Sequence, residues 1–340
     1  MRRSTQILHR RRGAVPWALA AVAAGTAAWM LAPRASDPTA PPSPPESAEV
    51  TRIADLRIAS LSPAMTDAAI ALGLGERIVG RTPWCPATVA EAPVVGTLVD
   101  FDAERLLRLR PTHLLVQPPR SGIEPGLDSV ARSLGAVVIA RHLDGVEDVR
   151  SLLAALPGLL GFMAPGAEGG ATETDGSDRA RLAEASGSVL EEIDRSIAAA
   201  RTRVAGHDPG RVLLLFACDP VMAFGSGSYL GDLLLAIGGT NALALRGFPE
   251  LSVEDVQRLA PDAIVLVRTA GAAGTAGAAI DAHEETLRRF ARRLDVPATR
   301  RGRLGVLVHP SAMLPGPAVG GLAAALAATL ESLERGTTAR

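Results

Sequence analysis

The sequence predicts an α/β protein: two similar parallel-sheet α/β lobes joined by one long helix, with a ligand cleft between them. Three observations predict it. From Leu56 onward, short aliphatic runs alternate with helical stretches of about ten residues, the pattern of parallel βαβ units covered on both faces. "ERLLRLRPTHLLV", starting at Glu104, recurs 150 residues later as "EDVQRLAPDAIVL", starting at Glu254. Both copies place Leu or Val two residues on (Leu106, Val256), Leu five on (Leu109, Leu259) and proline seven on (Pro111, Pro261), before an aliphatic run. Between the copies lies one helical stretch, 178–206, longer than any other in the chain.

The elements follow in order. Five arginines in "MRRSTQILHRRR" precede the uncharged run 13–32, which is long enough for a bilayer crossing of roughly 20 residues. Positive charge ahead of this run places the amino terminus on the cytoplasmic side. Residues 1–35 therefore read as a signal peptide or an N-terminal membrane anchor; the proline in "PRA" before Ser36 spoils a small-x-small cleavage pattern and favours the anchor. Residues 36–51, dense in Pro and Ser, form a semi-extended linker.

The N-terminal lobe, 52–163, reads as strand 56–61, helix 65–75 capped by Ser62 or Thr66, strand 77–82, helix 102–110, strand 112–117, helix 126–135, strand 136–141 and helix 146–163, with Pro157 ending or kinking the last. A Gly/Thr/Asp-rich loop and the connecting helix fill 164–208. Leu182, Val189, Leu190, Ile193 and Ile197 form the apolar stripe of that helix. The C-terminal lobe, 209–337, restarts with strand 211–217 and helix 228–239. Helix 253–260, strand 263–268, helix 283–294, strand 303–310 and helix 317–335 complete it.

Composition excludes several function classes. The 340 residues are 47% hydrophobic with net charge −1, a globular composition without the basic footprint of a nucleic-acid binder. All the basic side chains besides histidine are arginines; without lysine there is neither a P-loop lysine nor a Schiff base. The glycine-rich "FGSGSYLG" is not a G-x-G-x-x-G fingerprint, no G-x-S-x-G occurs, and no sequence motif calls for a cofactor. Cys85 and Cys218 lie far apart without Cys-x-x-Cys spacing, so two separate buried thiols is the simpler reading and a disulfide stays open. The six histidines are scattered, which speaks against a zinc or manganese site.

Taken together, "RIASLSPAMTDAAIALGLGERIVGRT", "VGTLVDFDAERLLRLRPTHLLV", "FGSGSYLGDLLLAIGGTNAL" and "LSVEDVQRLAPDAIVL" resemble, in that order, the substrate-binding proteins of ABC importers for cobalamin and iron siderophores. The resemblance covers about 52–337. It implies an exported, periplasmic protein that captures a small-molecule metal chelate and delivers it to an ABC transporter permease. It also implies that one glutamate per lobe docks on permease arginines, and those positions match Glu104 and Glu254. From physics alone, a carboxylate in the first turn of a helix, after Asp102 or Ser252 as cap, serves the helix dipole for about 0.3–1 kcal/mol.

Loops at the carboxyl ends of parallel strands line such clefts. Met65, Trp84, Cys85, Leu98, Met222, Phe224, His309 and Met313 fall on them and predict a mostly apolar ligand-binding surface, with Arg81 the one arginine near the mouth. Cobalamin or another corrinoid is the first expectation and an iron siderophore the second. Haem or another metal chelate is the alternative within the fold, although the lone tyrosine, Tyr229, starts a helix. His309 is the candidate metal ligand, outweighed by a hydrogen-bonding role at a strand end. A membrane-tethered ligand sensor is a further alternative; an enzyme is the least favoured.

Overall fold

The computed structural model describes residues 52–119, 122–162, 173–270 and 276–338. The leader 1–35 and the linker 36–51 lie outside the described residues. Among the described residues no helix is long and apolar enough to cross a membrane.

The N-terminal half runs β1 (Ile58–Ser60), α1 (Pro63–Ala71), β2 (Ile78–Gly80), α2 (Ala103–Leu109), β3 (His113–Val116), α3 (Pro125–Leu134), β4 (Val137–Ala140) and α4 (Val146–Leu159). Its four strands form an all-parallel sheet in the order β2-β1-β3-β4. The connecting helix is α5 (Glu173–Val204), roughly 48 Å long at 1.5 Å per residue.

The C-terminal half runs β5 (Arg211–Cys218), β6 (Val221–Ala223), α6 (Tyr229–Ala236), β7 (Thr240–Asn241), β8 (Glu250–Leu251), α7 (Val253–Leu259), β9 (Ala263–Thr269), α8 (Ala276–Ala291), α9 (Pro297–Arg300), β10 (Leu304–His309) and α10 (Val319–Thr338). This sheet keeps the parallel core of the other lobe and adds a mixed edge. Its order is β10-β9-β5-β6-β8, and only β10, β9, β5 and the short β7 run parallel. The segment expected to be a mouth loop, 218–225, instead turns at Asp219–Pro220 and returns as β6, antiparallel to both β5 and β8. Three residues of β6 are too few for alternation to register in sequence. Likewise α8 starts at Ala276, before the expected 283, because an alanine-rich first turn carries high propensity but no amphipathic signal.

One apolar cluster runs through both lobes. It links Ile58, Leu152 and Phe162 through Leu182, Ile193 and Ala200 of α5 to Val265, Leu307 and Leu326. Alternate strand residues serve opposite faces. Leu115 joins this shared core while Leu114 and Val116 pack outward under α2 and α3. In the other lobe Val265 and Val267 face the shared core, and Ile264 and Leu266 pack against Leu287 and Phe290 of α8.

Pro157 lies within the last turns of α4, where it cannot donate to the Leu153 carbonyl. The buried Ser186 hydroxyl of α5 donates to that carbonyl instead, at 2.8 Å. Ser186→Ala therefore strands a buried acceptor; urea melts should show a loss of about 1–3 kcal/mol. At the head of β3, His113 is buried among apolar neighbours, and burial depresses its pKa from the ordinary 6.5 to about 4. The folded state thus holds it neutral where the unfolded chain takes up a proton. Its stabilising share is complete above pH 6.5 and drains away as pH falls toward 4, by about 3 kcal/mol at most. Urea midpoints at pH 7 and 4.5 should differ more in the wild type than in His113→Leu.

The repeated units are alike in detail. Asp102 caps α2 by accepting from the Arg105 amide at 2.8 Å. Ser252 caps α7 by accepting from the Asp255 amide at 3.0 Å, and Asp255 returns the bond to the Ser252 amide in a capping box. Both helices end on a left-handed residue, Arg110 (φ 47°) and Ala260 (φ 45°), the two non-glycine positive-φ positions among the described residues. An arginine at the foot of each lobe's first central strand closes the helix end. Arg57 donates to the Leu109 carbonyl at 2.6 Å, and Arg211 to the Leu259 carbonyl at 3.0 Å.

Candidate functional site

The carboxyl ends of the two sheets meet at the lobe junction. Two contacts establish this, and both use loops that leave strand ends. After β4, the Val146 amide donates across the junction to the Asp232 carboxylate of α6 at 3.3 Å. Gly145 packs closely there: a Cβ would lie 2.6 Å from the same oxygen, so the carboxylate would have to move. After β10, Gly316 lies against Asp67 and the Ala64 carbonyl of α1. Asp67 is half-buried there, and burial raises its pKa.

On the N-terminal side, the loop after β2 is a tight turn built around the Cys85 sulfur. The Thr82 amide donates to it at 3.3 Å, and the Thr82 and Thr66 hydroxyls lie 3.3 and 3.1 Å away. The turn presents Trp84 outward with 68% of its surface exposed. Leu98 is partly buried beside a shallow groove of ≈ 310 Å³ that it lines with Val99, Pro119, Ile123 and Pro125. Its neighbour Val99, not foreseen, is 79% exposed at the tip of that turn. Large apolar side chains left in water in this way mark contact surfaces.

On the C-terminal side, the chain's one tyrosine and three of its six phenylalanines gather in one cluster. Phe224 is its centre, with ring centroids 5.0 Å from Phe216, 5.7 Å from Phe248 and 5.6 Å from Tyr229. The cluster sits beside the first turn of α6, next to the junction contact of Asp232. Phe248 is its exposed ring, Met222 is half-buried on β6, and Met313 is exposed after β10.

Several expected contacts are corrected. Met65 and Phe224 are fully buried in the shared core and offer a ligand no surface. Cys85 is buried too and holds the Trp84 turn; it and Cys218 are both free thiols, and burial pushes Cys218 up to about 11. His309 ends β10 in a hydrogen-bonding role: its Nδ1 accepts from the Ser311 amide at 3.1 Å, and a Cβ at Gly321 would lie 3.2 Å from its Nε2. Among the described residues no three His, Cys, Asp or Glu side chains come together to hold a metal. Tyr229 is buried with its hydroxyl donating to the Ala312 carbonyl, and burial pushes its pKa well up. Arg81 spends its guanidinium on the carbonyls of Ala92, Thr82 and Ala90.

Two other arginines stand at strand ends instead, Arg141 after β4 and Arg268 at the end of β9. Each is half-buried, donates to a backbone carbonyl (Ala140 and Phe216) and makes no ion pair among the described residues. The signal for them was an arginine closing an aliphatic run, in "VVIARH" and "IVLVRT". His142 follows Arg141 and is exposed.

Glu104 and Glu254 occupy equivalent first-turn positions, both exposed. Glu104 pairs with Arg108 at 2.8 Å, one turn on, leaving its side chain 85% accessible. In the other lobe the equivalent Arg258 pairs with Asp255 at 2.7 Å, and Glu254 has no ion partner among the described residues.

No family model matches this chain. Over 217 residues it is similar to the vitamin B12-binding protein of Salmonella paratyphi A, at 27% identity, covering 63% of this chain and 73% of that protein. Among solved structures it is similar to the periplasmic heme-binding protein RhuT from Roseiflexus sp. RS-1 in apo form, with a TM-score of 0.60 and 20% identity over 82% of this chain and 98% of that one. The periplasmic vitamin B12 binding protein BtuF of Vibrio cholerae gives a TM-score of 0.57 and 18% identity over 82% and 98%. The chain thus has the α/β fold of these periplasmic binding proteins.

Proposed function

We propose that this chain is the substrate-binding component of an ABC importer, periplasmic and not an enzyme, which holds a corrinoid between its lobes and delivers it to a membrane permease. The observation that carries the ligand class is chemical. Exposed Trp84 and Val99 on one lobe, and Phe248 and Met313 on the other, offer apolar surface to a large ligand, yet neither expected iron ligand is free. Tyr229 is buried and bonded to Ala312, and His309 is bonded to Ser311. Cobalamin brings its own axial base and needs no protein ligand, whereas haem gains most from one.

A haem reading keeps one point in its favour: His142 is exposed at the mouth, and Arg141 and Arg268 suit carboxylates. The Pro-rich linker 36–51 and the run 13–32 suit an exported protein tethered to, or released from, the inner membrane.

The test is a thermal-shift titration of the purified chain with cyanocobalamin, cobinamide, haemin and ferric siderophores, each ligand adding RT ln(1 + [L]/Kd) to stability. Stabilisation by both corrinoids is expected. A shift with haemin alone that His142→Ala removes would install the haem reading. No shift with any ligand, alongside turnover of a substrate, would overturn the function.

A further inference from the structure

We propose that the C-terminal lobe carries an apolar anchor site for the permease beside Glu254: a groove that takes an aliphatic side chain from a basic segment of that partner. The proposal rests on the docking reading of Glu104 and Glu254 and goes beyond it by giving the contact an orientation.

The groove, ≈ 300 Å³, lies between α7 and the segment leading into it, walled by Leu243, Leu245, Leu251 and Leu259. Leu245 is 57% exposed on its rim. Its volume is at the floor of the ~300–1,000 Å³ typical of small-molecule pockets, which suits one or two inserted side chains better than a whole metal chelate. Glu250, Asp255 and Arg258 line it, and Glu254 precedes Asp255 on α7. Asp255 and Arg258 neutralise each other, while Glu250 and Glu254 are exposed and have no ion partner among the described residues. An apolar floor beside unpaired carboxylates favours an aliphatic side chain flanked by arginine or lysine, since the cation meets the rim while the side chain leaves water.

In the N-terminal lobe a side chain fills the corresponding place. Arg105 stands where α7 has Asp255. Its guanidinium reaches back to the Val94 carbonyl and lies 3.4 Å from Asp102, covering the corresponding edge of α2. In α7 the equivalent Asp255 folds back on Ser252 and leaves the edge open. Two lobes with matching glutamates could dock either way round; one lobe with an anchor site allows one orientation only.

The test places the photo-crosslinker benzoylphenylalanine in the full chain at position 244 on the groove, at 257 on α7 or at 107 on α2, in native membranes. All three positions leave both glutamates in place. Cross-linking from 244 to a permease subunit, at a peptide with an aliphatic residue beside Arg or Lys, is expected. Leu245→Asp should cut the yield from 257 at least tenfold while the thermal shift with the bound ligand stays unchanged. Capture of the permease from 107 and 257 but not 244, with no effect of Leu245→Asp, overturns the groove and leaves the docking reading standing. Capture of a different protein from 244 also overturns the groove. Capture from none of the three overturns the docking reading and the groove with it.

Discussion

Replacing both Glu104 and Glu254 with arginine should lower permease-dependent uptake at least a hundredfold and leave ligand affinity unchanged. Both carboxylates are exposed. Their structural worth is small: about 0.3–1 kcal/mol each toward the helix dipole, and about 0.3–0.5 kcal/mol for the Glu104–Arg108 pair. Reversing both charges turns each gain into a comparable penalty and therefore costs at most about 5 kcal/mol of folding stability, spread over two sites. Against arginines on a permease, the same reversal turns two attractions into two repulsions, and like charges set face to face across an interface cost several kcal/mol. The measurement is ATP-dependent uptake by membrane vesicles beside a thermal melt and a ligand titration of the same variant. Uptake at wild-type rate would reduce both residues to helix-dipole carboxylates, and lost ligand affinity would move them into the binding site.

Gly225→Ala and Gly231→Ala should each destabilise the fold by about 3 kcal/mol, at the upper end of overpacking. A Cβ at Gly225 would lie 1.9 Å from the Leu245 carbonyl oxygen, and one at Gly231 would lie 2.2 Å from the Gly225 carbonyl oxygen. Neither obstacle is a side chain that can swing away. The Leu245 carbonyl accepts from the Ser226 amide at 2.8 Å, and the Gly225 carbonyl accepts from the Ser228 hydroxyl at 2.7 Å. Relief therefore means breaking the hydrogen bonds that fasten this loop. The contrast is Gly187→Ala in α5, where a Cβ meets nothing within 4 Å. That change should stabilise by roughly 0.5–1 kcal/mol, the ordinary helix penalty of glycine. Urea midpoints of the three variants check both signs; equal effects at all three positions would refute the close-approach account.

Those glycines show what "FGSGSYLG" is for. It is a packing device that lets β6, the start of α6 and the 245–247 segment approach at backbone distance. The sequence already excluded a dinucleotide fingerprint, but what Gly225 avoids lies twenty residues further on, at Leu245, and only folding brings it near.

The site was less legible than the fold. Trp84 and Met313 were placed on exposed turns from the sequence, and the structure exposes them. Met65, Cys85 and Phe224 occupy equally suitable loop-side positions, yet their side chains turn into the core. Residue type and position along a strand do not encode which way a side chain points once a helix packs over it. Arg141 and Arg268 escaped notice because an arginine after an aliphatic run reads as a solvated strand end, and only the facing of the two sheets makes that end a mouth.

Local chemistry by itself determined the order of strands and helices, the caps at Ser62, Asp102 and Ser252, the long helix and its stripe, and the duplication. Each depends on neighbours within a few residues, and a repeat is visible wherever both copies keep it. Tertiary structure alone decided the antiparallel return of β6, the Arg57 and Arg211 bonds that close α2 and α7, the Ser186 bond that answers Pro157, and the groove that distinguishes the lobes. Each of these joins groups distant in sequence, and a bond of that kind leaves no period or motif in the chain on either side of it.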